Sequence, residues 1–114
     1  MSEIGKLLRL LVQGDKEFKI TRFETVGTAK QFTSQLSYAR KALYVYNNSD
    51  AGSGEILWGG SDVTTNGFPI PVGAVVDIPI AASAAADSSA DNIAVYFANS
   101  VSGEYGDLRI LEVA

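Results

Sequence analysis

The sequence predicts an all-β fold, an antiparallel β-sandwich or jelly-roll-like single domain at residues 18–114 with an N-terminal extension at residues 1–17. Three observations predict it. Short apolar runs with period-two alternation recur along the chain, Gly, Asn, Ser and Asp clusters separate them, and no long helical pattern follows residue 17. Six to eight short strands punctuated in this way make a sandwich or a jelly roll. At 114 residues, 46% of them hydrophobic and 19% charged, the chain can bury one core and reads as globular.

Residues 1–14 fit two templates. Ile4, Leu7, Leu8 and Leu11 recur at helical spacing, while Leu8, Leu10 and Val12 recur at strand spacing. Leaving such residues in water forgoes roughly 1.5 kcal/mol or more each. The segment therefore reads as an arm that packs across a subunit boundary, or as an edge strand of the same sandwich. Lys6, Leu7, Leu8, Arg9, Leu10 and Leu11 are its candidate contacts with another protein or a neighbouring subunit. Gly14-Asp15 then marks a turn.

Residues 18–26 alternate, with Phe18, Ile20 and Arg22 on one face and Lys19, Thr21, Phe23 and Thr25 on the other. Neither face is purely apolar, which fits an edge or a subunit contact. After Gly27, residues 28–33 form a short strand anchored by Phe32. Residues 42–46 give the most continuous strand signal of the first half. The polar stretch 47–54 is a loop, expected to join this strand and the next as a hairpin with a long connection.

The stretch 55–71, EILWGGSDVTTNGFPIP, organises the middle of the chain. Ile56, Leu57 and Trp58 suit a pleated surface. Gly59-Gly60 breaks the run, and Asn66-Gly67 offers residues that tolerate positive φ. Phe68 and Ile70 alternate with Pro69 and Pro71, which cannot donate to a ladder and suggest an edge strand. Residues 74–80 read as a strand, and the low-complexity residues 81–91 as a surface loop. Residues 93–97 resume strand, 99–106 turn, and 108–113 close the sheet, with Leu108, Ile110 and Glu112 on one face and Arg109, Leu111 and Val113 on the other.

Composition limits the chemistry. The chain has no His and no Cys, which removes the usual base of nucleophilic triads, thiolate chemistry and the common zinc ligands. Asp50, Glu55, Asp62, Asp87 and Asp91 are available, yet their spacing selects no catalytic pair. Residues 62–67 imitate the start of a calcium loop, but Gly73 stands where the bidentate Glu belongs. The expectation is no enzyme, no metal and no cofactor, with residues 62–67 a turn in which Asp and Asn side chains bond nearby backbone. Asn47-Asn48-Ser49 matches a glycosylation triplet by chance. Trp58, Tyr44 and Tyr46 read as packing residues, or alternatively as a sugar-stacking surface.

Charge is unevenly placed. Residues 1–41 hold eight of the nine basic residues and four acidic ones, a net +4, whereas residues 42–114 hold one basic and nine acidic residues, a net −8. Such halves attract, within or between chains. The basic residues are dispersed and not interleaved with aromatics, which argues against nucleic acid as a partner. No apolar run is long enough to span a bilayer and no cleavage site follows the short apolar run at the N-terminus, so neither a membrane nor secretion is expected. A chain without Cys fits folding in a reducing cytoplasm.

The run Trp58-Gly59-Gly60-Ser61-Asp62-Val63-Thr64-Thr65-Asn66-Gly67-Phe68-Pro69-Ile70, then Val72-Gly73, the strand at 75–80, the strand ending Ile93-Ala94-Val95-Tyr96 and the closing strand at 108–113 resemble a small all-β domain of tailed-bacteriophage virion proteins. The resemblance covers roughly residues 18–114. The chain departs from it with Val72-Gly73 in place of Pro-Gly and with an insertion at 81–91. It implies a head decoration (cement) protein or a capsid-fibre base, commonly a homotrimer, bound to the major capsid protein where capsid subunits meet. It also implies a location on the capsid surface of the virion after synthesis in the host cytoplasm. The alternative is a module of a head fibre or tail that recognises host glycans.

Overall fold

The computed structural model describes residues 16–80 and 93–114. Its strands are β1 (Phe18–Thr25), β2 (Lys30–Phe32), β3 (Ala42–Asn47), β4 (Ile56–Gly59), β5 (Phe68–Ile70), β6 (Val75–Asp77), β7 (Val95–Asn99) and β8 (Gly106–Val113). They form two four-stranded sheets, ordered β1-β8-β3-β6 and β2-β7-β4-β5. Every pairing is antiparallel. The pairs β1–β8, β2–β7, β3–β6 and β4–β5 make the chain one long hairpin rolled up on itself, the strand order of a jelly roll. The tip of that hairpin is the stretch 56–70.

The core is the inner parity of each strand. From the first sheet come Leu43, Val45, Leu108 and Ile110, from the second Phe32, Ile56, Ile70, Val95 and Phe97, and Ile78 completes the cluster. Phe23 of β1 meets Phe32 and Phe97 edge to face, each at a centroid distance of 5.6 Å, and so ties the two sheets together. The structure thus chooses the Phe23 and Thr25 face of β1 as the inner one. Phe18 and Ile20 point outward.

One charged pair is taken inside. Glu112 lies on the inner face of β8 and is fully buried, and Arg40 is 3% exposed. Arg40 Nη1 donates to Glu112 Oε2 at 3.1 Å, and the Gln35 amide donates to Oε1 at 2.9 Å. The remaining guanidinium donors, Nε and Nη2, reach the Ile80 carbonyl at 3.2 and 3.0 Å. With both charges bonded at several atoms, the pair pins the β2–β3 connection and the chain at Ile80 to the end of the first sheet.

Two details of the turns differ from expectation. Residues 47–54 are not a hairpin loop: β3 belongs to the first sheet and β4 to the second, so the loop carries the chain across the sandwich. Asn47, buried, holds its start by donating from Nδ2 to the Ile70 carbonyl at 2.8 Å. At the hairpin tip, residues 63–66 form one helical turn, α1 (Val63–Asn66), closed by backbone bonds from Asn66 N to Asp62 O and from Gly67 N to Val63 O. The Asp62 and Asn66 side chains bond each other, at 2.8 Å, rather than the backbone.

Gly67 is there for space and not for positive φ. Its φ is −75°, but a Cβ would lie 2.5 Å from the Val63 carbonyl oxygen and 2.8 Å from Leu57 Cβ. That close approach seats α1 on the outside of the second sheet, with Val63 fully buried. The loop expected at 81–91 lies outside the described residues.

Candidate interaction surface

Antiparallel register sorts the outer face of the first sheet into rows. Phe18, Val113 and Ala42 stand side by side, then Ile20, Leu111, Tyr44 and Asp77, then Arg22, Arg109, Tyr46 and Val75. The first two rows are apolar apart from Asp77. Leu111 and Val113 are buried in their midst, packed by Ala42 and Tyr44, while Phe18 and Ile20 are 52% and 51% exposed. β8 therefore carries apolar residues on both faces, Leu108 and Ile110 inside and Leu111 and Val113 outside, as a strand between two covered faces would. The second sheet has α1 on its outer side. Among the described residues no element of that kind lies over the first.

The third row and the next are charged. Asp107 accepts from Arg109 at 3.1 Å and lies 3.5 Å from Arg22. The Arg22 side chain is 71% exposed, so this pairing adds little stability and chiefly orders the surface.

Next to it lies a polar depression of 240 Å³, lined by Arg22, Glu24, Ser49, Asp50, Tyr105 and Asp107 among others. Its wall is held by hydrogen bonds from Asp107 N to Ser49 Oγ (2.9 Å), from Asn48 N to the Asp107 carbonyl (2.8 Å) and from Asn48 Nδ2 to Asp107 Oδ2 (3.2 Å). Tyr105 presents an exposed ring at the rim.

The contact residues expected from sequence, Lys6, Leu7, Leu8, Arg9, Leu10 and Leu11, lie outside the described residues. The point from which their segment departs is fixed, however. Lys16 N donates to the Ala114 carbonyl at 2.8 Å and Ala114 N to the Glu17 carbonyl at 2.9 Å, which places residue 16 at the Phe18–Val113 end of the apolar rows.

The three aromatics considered for sugar stacking are not brought together. Tyr44 and Tyr46 lie on the outer face of the first sheet. Trp58 lies on the inner parity of the second, packed against the core and stacked on the exposed Phe68 at 5.3 Å. Of the loop carboxylates singled out, Asp50 joins the depression, with Glu24 and Asp107 as companions that sequence reasoning missed. Among the described residues no group of three or more acidic side chains is placed to hold a metal ion. The acceptor of the glycosylation triplet, Asn47, is buried and already bonded, so the folded domain does not present it.

No family model matches the chain. No curated protein matches it either.

Proposed function

We propose that the chain is a structural protein of a tailed-phage virion. In this reading it is a decoration protein that self-associates, as a homotrimer, and binds the major capsid protein on the assembled head, where its added contacts stabilise the shell by mass action. The observation that carries the reading is the apolar outer face of the first sheet, with Phe18 and Ile20 half exposed beside Leu111 and Val113. A contiguous apolar face on a small sandwich is a surface for protein. The resemblance of roughly residues 18–114 to virion domains supports the phage setting, and a jelly roll suits it, though fold alone assigns no role.

Light scattering behind a sizing column tests the self-association. The expected result is an oligomer for the wild type and at least a tenfold weaker one for Ile20→Lys, since completing the burial of one such side chain and sparing a charge is worth about 1.4 kcal/mol or more. The variant should still fold cooperatively, because Ile20 is half exposed and the stem of a lysine can cover the same neighbours. A wild-type monomer that also fails to bind heads lacking this protein sinks the proposal.

The polar depression favours a second reading, recognition of a host glycan. Arg22 donates, Glu24 and Asp50 accept, and Tyr105 offers a ring face, the mixture of groups that holds a polyol. Glycan screening should then give binding that Tyr105→Ala abolishes without unfolding the domain. Binding that survives the substitution would place the sugar elsewhere.

A further inference from the structure

We infer that the outer face of the first sheet is the seat of residues 4–12 of a second copy of the chain, so that copies assemble by lending each other their N-terminal segments. The inference deepens the self-association part of the proposed function and rests on it. It is independent of capsid binding.

Four features lead to it. Phe18 and Ile20 are half exposed, and among the described residues nothing completes the burial of this face. The segment matches the face in chemistry: Ile4, Leu7, Leu8, Leu10, Leu11 and Val12 supply six apolar side chains, against Phe18, Ile20, Ala42, Tyr44, Leu111 and Val113 on the sheet. Its two cations, Lys6 and Arg9, have an exposed counter-charge in Asp77 at the β6 end of the second apolar row. The departure point also suits exchange. The bonds of Lys16 and Glu17 to Ala114 hold the chain in line with β1 at the end of the sheet, beside the first apolar row. Fifteen residues extended from there span up to about 50 Å, which exceeds the longest dimension of the molecule, 39 Å. In a closed symmetric assembly each segment would leave beside one copy's Phe18 row and settle on the neighbour's, leaving no face uncovered.

The absence of cysteine makes the test direct, since every disulfide formed is an engineered one. Copies carrying single cysteines at successive positions from Ile4→Cys to Val12→Cys are refolded together with a longer-tagged copy carrying Ile20→Cys, then oxidised. Scanning is needed because a disulfide forms only when the two Cα atoms come within about 7 Å. The expected result is a mixed disulfide between the two chain types at a subset of positions, recurring at the spacing of one face of the segment. In the same assay, removal of residues 1–12 should weaken self-association at least tenfold while the domain still folds cooperatively.

Three results overturn the inference. In double variants at dilution, closure of the disulfide within one chain would mean that the chain covers its own face. Oligomers that form no mixed disulfide at any scanned position would mean that another surface joins the copies, with self-association itself intact. A wild-type monomer would remove both this inference and the self-association it rests on. Mixed disulfides in a protein that ignores phage heads would keep the inference and sink the capsid assignment alone.

Discussion

Arg40→Ala lowers the stability of the domain by about 3–5 kcal/mol, because it strands the Glu112 carboxylate in a dry interior with only the Gln35 amide to hold it. A domain of this size is stable by roughly 5–15 kcal/mol, so the loss takes a large share of the total and moves the thermal midpoint by on the order of 20 °C. Urea unfolding followed by tryptophan fluorescence measures it, with Trp58 as the sole reporter. The double variant Arg40→Met, Glu112→Leu recovers much of the deficit. It leaves no buried charge, though the Ile80 carbonyl and the Gln35 amide lose their partners. An Arg40→Ala protein within 1 kcal/mol of wild type would show that water reaches the pair.

Phe97→Ala is expected to cost a similar amount, about 3–5 kcal/mol, by opening a cavity at the meeting of the two sheets. Phe97 is fully buried, and it is the partner of both Phe23, at 5.6 Å, and Phe32, at 6.5 Å. Removing it therefore also forfeits two edge-to-face contacts, each worth about 0.5–1.5 kcal/mol. Phe97→Leu keeps most of the volume and costs less than half as much. Phe68→Ala serves as the control, since Phe68 is 64% exposed and touches the fold through its stack on Trp58. Equal losses at positions 97 and 68 in denaturant unfolding would show that the core is not where the three rings meet.

Much of the fold was legible because strands of alternating parity and turn clusters are local signals. β3, β4, β5 and β8 stand where the alternation of residues 42–46, 56–58, 68–70 and 108–113 puts them, and the two prolines keep β5 at an edge, as a residue without an amide hydrogen must. What stayed hidden depends on distant partners. The loop at 47–54 has the composition of a hairpin connection, and composition does not say that the next strand joins the other sheet. Glu112 alternates like its apolar neighbours Leu108 and Ile110, but nothing local announces an arginine 72 positions earlier as its partner.

Gly67 follows an Asn, the usual mark of positive φ, yet its lack of a Cβ is used for contact distance. The candidate surface was half visible. The mixed faces of residues 18–26 pointed to an edge or a subunit contact, and β1 is an edge strand, while the apolar stripe needed Leu111 and Val113 to be lined up with Phe18 and Ile20 by register. Its signal in the sequence was that Leu108 and Ile110 fall on one parity and Leu111 and Val113 on the other, in a fold where only one side of a strand need be covered.

The register Phe18↔Val113 joins the first strand of the sandwich to the last, and β8 is also the neighbour of β3. A chain still emerging from the ribosome thus has an incomplete first sheet: until residues 106–113 are released, β1 lacks its one ladder partner among the described strands and β3 keeps only β6. Folding is consequently dominated by non-local pairing, on the millisecond-to-second scale of such topologies rather than the microseconds of helical bundles. During that interval the apolar parities of β1 and β3 are exposed together, and the protein's yield depends on how many unfinished neighbours it meets.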